Sequence, residues 1–75
     1  MVEPDGSLGA WVRELRRRLG LTQGELGKRV GVGQGAVSKW ELGRVVPPAA
    51  TRARLAELAD GTGVGPPPER GGDEG

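Results

Sequence analysis

The fold of this chain is decided by the stretch "TQGELGKRVGVGQGAVSKWELG", residues 22–43, which holds six glycines. Apolar residues stand between the glycines at helical intervals, Leu26 and Val30 in the first half and Val37 and Trp40 in the second. Three interpretations compete: a flexible glycine-rich loop, a phosphate-binding loop, and two helices joined by a turn.

Helix-end signals favour two short helices. Thr22 followed three residues later by Glu25 is a capping-box pattern, which predicts a helix over about 22–30 that ends at Gly31. A further helix is predicted over 33–41, and Leu42-Gly43 ends it.

An amphipathic helix is predicted upstream, over 7–19. Ser7 is its expected N-cap, Gly20 its stop, and Trp11 lies at the edge of the apolar face, where partial burial is expected. The apolar face consists of Leu8, Trp11, Val12, Leu15 and Leu19.

A fourth helix is predicted to begin near Pro48, because proline suits the first turn, and to present Leu55, Leu58 and Ala59 on one face. Residues 61–75 are rich in Gly, Pro and charge and are predicted to be a disordered acidic tail; residues 1–6 are predicted to be flexible. The predicted fold is therefore all-α, with four helices in a domain over 7–60.

The phosphate-loop interpretation fails on its own pattern. A Walker-type loop needs Gly-Lys followed by Ser or Thr, but Gly27-Lys28 is followed by Arg29. The segment "GVGQGA", residues 31–36, fits G-x-G-x-x-A, a pattern that is meaningful only after a strand, and the preceding residues are helix-patterned.

Composition argues against an enzyme and against a membrane protein. The 75 residues include no Cys, His or Tyr, so the commonest general base and the commonest metal ligands are missing, and we expect no metal, cofactor or small-molecule ligand. No apolar run is long enough to span a membrane, and the acidic start "MVEPDGS" is unlike a signal peptide, so we expect a cytoplasmic protein.

Charge is unevenly distributed along the chain. Residues 8–60 contain ten Lys or Arg and five Asp or Glu, while both flanking segments are acidic. A basic body suits an anionic partner such as nucleic acid, and an ordinary solvated surface is the alternative that charge alone leaves open.

The segment "LRRRLGLTQGELGKRVGVGQGAVSKWELG", residues 15–43, resembles the Cro/phage-repressor (XRE-type) helix-turn-helix DNA-binding family. The resemblance implies a λ-repressor-like domain over about 8–60, whose second and third helices form the helix-turn-helix. The matching positions are Arg16, Gly20-Leu21-Thr22-Gln23, Glu25-Leu26, Gly31-Val32, Val37-Ser38, Glu41 and Gly43.

The resemblance also implies roles for individual residues. Arg16 and Glu41 match an ion pair between the first and third helices. Gln23 and Lys39 also have plainer interpretations, as a solvated first-turn residue and an ordinary exposed lysine. The implied base-contacting positions are Gln34, Gly35, Ser38 and Lys39, and the expected phosphate contacts are Gln23, Arg44, Arg17 and Arg18.

The chain departs from the family pattern at several positions. Gly27 replaces the usual alanine where helices 2 and 3 are expected to approach, Gly33 replaces the usual N-cap Ser or Thr, and Gly35 offers no side chain on the base-reading face. Many members of the family have a fifth helix that contributes a dimer contact, but no fifth helix is predicted here. The exposed segment "VVPP", residues 45–48, is therefore either a substitute dimer patch or an ordinary solvent-facing loop.

These features predict a sequence-specific double-stranded DNA-binding transcriptional regulator, most simply a small repressor that binds DNA as a homodimer with helix 3 in the major groove. The alternative is a protein-interaction module, such as an antitoxin or adaptor, built on the same fold.

Overall fold

A computed structural model of the chain describes residues 8–65 and 67, and in this part it is all-α, as predicted from the sequence. Residues 1–6 and the expected N-cap Ser7 lie outside the described residues. None of the described helices combines the length and the hydropathy that a membrane crossing requires. The helices are α1 (Leu8–Leu19), α2 (Gln23–Val30), α3 (Gln34–Glu41) and α4 (Ala49–Ala59).

One hydrophobic core joins the four helices. Val37 and Trp40, the predicted inward positions of α3, are both buried, and Trp11 is half-buried as expected from its place at the edge of α1. The buried core residues are Leu8, Val12, Leu15, Leu26, Val30, Val37, Trp40, Leu55 and Ala59.

The first three helices end in the same way. Gly20, Gly31 and Gly43 have left-handed backbone conformations, with φ of 70°, 83° and 77°. The backbone amide of the residue after each glycine donates a hydrogen bond to a carbonyl in the last helical turn, and this bond ends the helix. These hydrogen bonds run from Leu21 to Arg16, from Val32 to Gly27 and from Arg44 to Lys39.

The helix starts differ from one another. Thr22 and Glu25 form the predicted capping box on α2, with both reciprocal hydrogen bonds present. Gly33 caps α3 without a side-chain hydrogen bond, and Pro48 is the N-cap of α4 instead of its first helical residue.

Two glycines allow backbones to approach closely. A Cβ on Gly9 would lie 2.5 Å from the carbonyl oxygen of Trp40, so α1 crosses the end of α3 without a side chain between them. A Cβ on Gly27 would lie 2.5 Å from the carbonyl oxygen of Val32. Because Gly27 has no Cβ, the turn between α2 and α3 can lie directly against it. The sequence-based prediction was that Gly27 allows the two helices themselves to approach each other.

Residues 61–65, here called the C-terminal strap, pack along α1. The indole Nε1 of Trp11 donates to the Gly65 carbonyl at 2.8 Å, and Nη1 of Arg18 donates to the Thr62 carbonyl at 3.2 Å. Val64 packs against the core. The strap differs from the disorder predicted from residue 61 onward, because α1 supplies it with hydrogen-bond donors and an apolar surface. Residues 66 and 68–75 lie outside the described residues.

The approach at Gly9 makes a testable difference between two helical glycines. We expect Gly9→Ala to lower the melting temperature, because its Cβ would collide with the backbone of Trp40. Gly24→Ala is the matched control, since a Cβ there has no neighbour closer than 3.9 Å and alanine favours a helix by roughly 1 kcal/mol. Thermal unfolding followed by circular dichroism measures both, and equal shifts in the two variants would contradict the close packing of α1 on α3.

Candidate nucleic-acid interface

The third helix has one face in the core and one face toward solvent. On the solvent side Gln34, Gly35 and Lys39 are exposed and Ser38 is half-buried. These are the four positions predicted to contact bases, and the structure brings them together on one surface. The helix is short and its ends are fixed by the turns on either side, so this surface is presented in one orientation.

The last residue of α3, Glu41, is a carboxylate buried against α1 and α2. Its side chain is only 2 % exposed. Arg16 donates to it through Nε at 2.7 Å and through Nη2 at 3.1 Å, and Nε2 of Gln23 donates at 3.0 Å. Nε of Arg13 lies 3.8 Å from the same carboxylate. The predicted Arg16–Glu41 pair is thus the centre of a larger network that links three helices.

This network decides the charge of Glu41. Burial raises the pKa of its carboxyl, but the hydrogen bonds from Arg16 and Gln23, with the charges of Arg16 and Arg13, lower it further than burial raises it, so the net pKa lies below the ordinary value of 4.5. The hydrogen bond to Glu41 raises the pKa of Arg16. A carboxylate at the C-terminal end of a helix also faces the negative end of the helix dipole. Arg16 therefore offsets both the burial of the Glu41 charge and its repulsion by the dipole.

Gln23 connects this buried network to the exposed face of α3. Its Oε1 accepts a hydrogen bond from Nε2 of Gln34 at 3.1 Å, while its own Nε2 donates to Glu41. Gln23 is therefore not the freely solvated first-turn residue that was the plainer interpretation of the sequence. An open depression lies at this junction, lined by Arg16, Thr22, Gln23, Gly24 and Gln34.

The basic residues divide into paired and unpaired groups. Arg17 and Arg18 both bind Glu14, at 3.3 Å and 2.9 Å, and the hydrogen bond from Arg18 lowers the pKa of Glu14. Lys39 and Arg44 make no ion pair with any of the described residues, and both are exposed. The cations free of an acidic partner thus include one on α3 and one directly after it.

Sequence patterns missed most of the network around Glu41. Gln23 lies 18 residues from Glu41 and 11 from Gln34, and no periodicity within one helix relates such positions. Arg13 was also missed, although a local signal was available, because Arg13 precedes Arg16 by three residues and therefore lies on the same side of α1.

The buried carboxylate predicts a pH dependence of stability. Since the pKa of Glu41 is lowered in the folded state, its contribution is fully present above the unfolded pKa near 4.5 and is lost as pH falls through the folded pKa. We expect Glu41→Gln to lower the free energy of unfolding by roughly 3 kcal/mol at neutral pH, because Arg16 loses its counter-charge. The difference from wild type should shrink on acidification.

Urea unfolding between neutral pH and about pH 3 measures this dependence. Glu57→Gln is the control, because Glu57 is exposed on α4 and makes no ion pair with the described residues, so its pH profile should follow that of wild type. A difference between Glu41→Gln and wild type that stays constant over the whole range would contradict a carboxylate stabilised by its charge.

Comparison with known proteins agrees with this geometry. A family model described as a helix-turn-helix domain matches residues 7–71, which is most of the chain. No curated protein and no solved structure matches it. In helix-turn-helix domains the second helix of the motif, called the recognition helix, lies in the major groove of DNA. Such domains are typically not enzymes. By this match and by the arrangement of α2, the turn and α3, the chain belongs to the helix-turn-helix domain family and is a DNA-binding domain.

Proposed function

We propose that this protein is a sequence-specific transcriptional regulator of the Cro/phage-repressor (XRE) type, which inserts α3 into the major groove of double-stranded DNA. The observation that supports this most directly is the hydrogen bond between Gln34 and Gln23. This bond holds the side chain of Gln34, on the exposed face of α3, in one orientation. Its partner Gln23 is in turn hydrogen-bonded to the buried Glu41. A side chain held in this way loses little further freedom when it meets a base.

Gln34 keeps the groups that adenine recognition needs. One hydrogen of its Nε2 is donated to Gln23, which leaves the second hydrogen and both lone pairs of Oε1 free. A glutamine pairs bidentately with adenine by donating to N7 and accepting from N6. We therefore assign an adenine contact to Gln34.

Gln23 is suited to a phosphate contact. It is the first residue of α2, where free backbone amides and the positive end of the helix dipole favour an anion. Its Nε2 donates one hydrogen to Glu41 and keeps the other. A phosphate at the depression beside Gln23 and Thr22 would fix the register of the helix on DNA without itself reading sequence.

The remaining cations have unequal roles in this proposal. Lys39 and Arg44 are exposed and have no acidic partner among the described residues, so each can bind a phosphate or a base edge directly. Arg17 and Arg18 are already bound to Glu14, and a phosphate has to replace that carboxylate. We assign the main backbone contacts to Lys39 and Arg44 and weaker ones to Arg17 and Arg18.

Gly35 and Ser38 complete the proposed contact surface. A Cβ on Gly35 would meet nothing within 4 Å, so no internal packing requires a glycine there. Without a side chain, the backbone of α3 can approach the groove closely next to Gln34. Ser38, one turn further along, offers a hydroxyl that can donate or accept. Few side chains then contact bases directly, and the shape of the DNA contributes the remaining sequence specificity.

We propose further that the protein acts as a small repressor and binds as a homodimer. A two-fold arrangement of two such domains reads half-sites about one helical turn apart, roughly 34 Å. An antitoxin or adaptor built on the same fold is the alternative, and it would use the exposed surface to bind a protein. The two functions differ in whether any duplex competes strongly against random DNA.

Selection from random-sequence duplexes, followed by anisotropy measurements on the selected and a scrambled duplex, tests the proposal. We expect Gln34→Ala to weaken binding to the selected duplex roughly 10- to 100-fold while binding to scrambled DNA changes little. Lys39→Ala should weaken binding to the selected duplex with no loss of helicity. Glu57→Ala, an exposed substitution on α4, is the control.

Two results would overturn the assignment. If both α3 variants bind the selected duplex as wild type does, the placement of α3 in the groove is wrong. If no duplex is enriched over random DNA, the interaction module becomes the better explanation.

The salt dependence of binding separates the two groups of arginines. We expect Arg44→Ala to reduce the slope of log K against log salt by about 1, because it removes one phosphate contact. Arg17→Ala is the matched substitution and should reduce the slope less, since Arg17 is already neutralised by Glu14. A larger effect from Arg17→Ala than from Arg44→Ala would reverse this assignment.

A further inference from the structure

Three side chains form a series of hydrogen bonds that runs from the interior to the exposed face of α3. Nε2 of Gln23 donates to Oε1 of Glu41 at 3.0 Å, and Nε2 of Gln34 donates to Oε1 of Gln23 at 3.1 Å. These three residues are here called the Glu41–Gln23–Gln34 relay. The side chain of Glu41 is 2 % exposed, Gln23 is half-buried and Gln34 is exposed. The relay therefore begins in the interior and ends where a base is proposed to bind.

The buried carboxylate sets the direction of the relay. An ionised carboxylate accepts hydrogen bonds and cannot donate them, so Gln23 has to turn its amide nitrogen toward Glu41. The amide oxygen of Gln23 then faces Gln34 and also only accepts, so Gln34 has to turn its nitrogen toward Gln23. A glutamine amide has two roughly equivalent orientations when no partner distinguishes them. The charge of Glu41 thus fixes the amide orientation of both glutamines.

The carboxylate itself is held in place by Arg16. Nε of Arg16 donates to Oε2 of Glu41 at 2.7 Å, and Nη2 donates to Oε1 at 3.1 Å. Nη1 of Arg16 donates to the Leu21 carbonyl at 3.3 Å, so the guanidinium is anchored at the start of α2 as well. Because a guanidinium has only donors, Arg16 also requires Glu41 to accept. The first member of the relay is therefore fixed in position and in polarity.

The orientation of the Gln34 amide distinguishes the two directions of an A·T base pair. In the major groove adenine presents an N7 acceptor and an N6 donor, and N7 lies nearer to the backbone of adenine's own strand. The nitrogen of Gln34 lies on the side of Gln23, the residue proposed to bind a phosphate. This order fits an adenine on the strand of that phosphate. A reversed amide would fit an adenine on the opposite strand.

We infer that Glu41 determines which strand carries the adenine at the base pair read by Gln34, and that this is the strand whose phosphate Gln23 contacts. This inference rests on the proposed function, in which Gln34 binds a base and Gln23 binds a phosphate. Glu41 is buried and acts through Gln23, so it is a positioning residue and not a contact residue.

The test exchanges a single base pair in the selected duplex. The base pair read by Gln34 is identified as the one whose exchange affects binding of wild type but not of Gln34→Ala. A second duplex carries T·A instead of A·T at this place in each half-site present and is otherwise identical. We expect wild type to bind the original duplex at least about tenfold more tightly, since a bidentate contact provides roughly this discrimination.

Two variants remove the direction of the relay. Glu41→Gln keeps the shape, but its amide can offer either an oxygen or an NH₂ group to Gln23, so both directions become possible. Gln23→Met interrupts the relay and leaves both hydrogen bonds from Arg16 to Glu41 in place. In each variant we expect the ratio of the two affinities to fall to within about threefold of one. If Glu41→Gln does not fold, as circular dichroism will show, Gln23→Met decides the test.

The ratio is a readout that a purely structural role would not change. Loss of the proposed phosphate contact in Gln23→Met weakens binding to both duplexes alike. Leu55→Val is the control for stability, because Leu55 is fully buried on α4 and has no part in the relay. We expect it to lower the melting temperature and to keep the ratio of wild type.

The strand is assigned by neutralising one phosphate at a time with methylphosphonate. The phosphate bound by Gln23 is the one whose replacement weakens binding of wild type but not of Gln23→Met. We expect this phosphate on the strand that carries the adenine.

Several results would overturn the inference while the proposed function stands. These are a wild-type ratio in folded Glu41→Gln or in Gln23→Met, an equal fall of the ratio in Leu55→Val, and an adenine on the strand opposite the Gln23 phosphate. Failure of the proposed function looks different: no duplex is enriched, or the exchange of no base pair distinguishes wild type from Gln34→Ala. In that case the inference fails with it.

Discussion

Glu41 is a carboxylate buried at the C-terminal end of a helix, and it can stay there only because Arg16 and Gln23 donate hydrogen bonds to it. Burial and the helix dipole both disfavour its charge, so without these donors the group would be protonated or the helices would separate. Since the donors come from α1 and α2, this network acts together with the hydrophobic core to fix the position of α3 relative to the other two helices. The placement of the candidate DNA-binding face follows from it.

The same network reaches the surface through Gln23. Because Gln23 binds Glu41 on one side and Gln34 on the other, the orientation of an exposed side chain on α3 is coupled to the packing of the interior. This coupling orders one side chain of the exposed face of α3 without the help of a further helix. It also means that substitutions at Glu41 or Arg16 act together on stability and on the exposed face of α3.

The glycines of the segment from Thr22 to Gly43 differ in whether the fold requires a glycine at their position. Gly31 and Gly43 are required by left-handed turns, and Gly27 by a carbonyl that a Cβ would meet at 2.5 Å. Gly35 has neither constraint, so the packing of the described residues does not require a glycine at this position. Local sequence signals located the turn glycines, because a helix stop is a short-range feature. The family resemblance had already assigned different roles to Gly27 and Gly35, and the packed structure identifies the Val32 carbonyl as the group for which Gly27 leaves room.

Local sequence patterns were enough to predict the four helices, the stop glycines of the first three and most of the core, because helical periodicity, capping residues and stop glycines act over a few residues. The order of residues from Arg16 to Gly43 also predicted a helix-turn-helix domain, and the match to a helix-turn-helix family model confirms that coarser assignment. Arg17 and Arg18 lie three and four residues after Glu14 on α1, so local helix geometry places these pairs within reach. The packed structure was needed to show that Gln23 joins Glu41 to Gln34 and that residues 61–65 pack on α1. These contacts join residues far apart in the chain and form only when the helices pack, so no local pattern encodes which donor meets which acceptor.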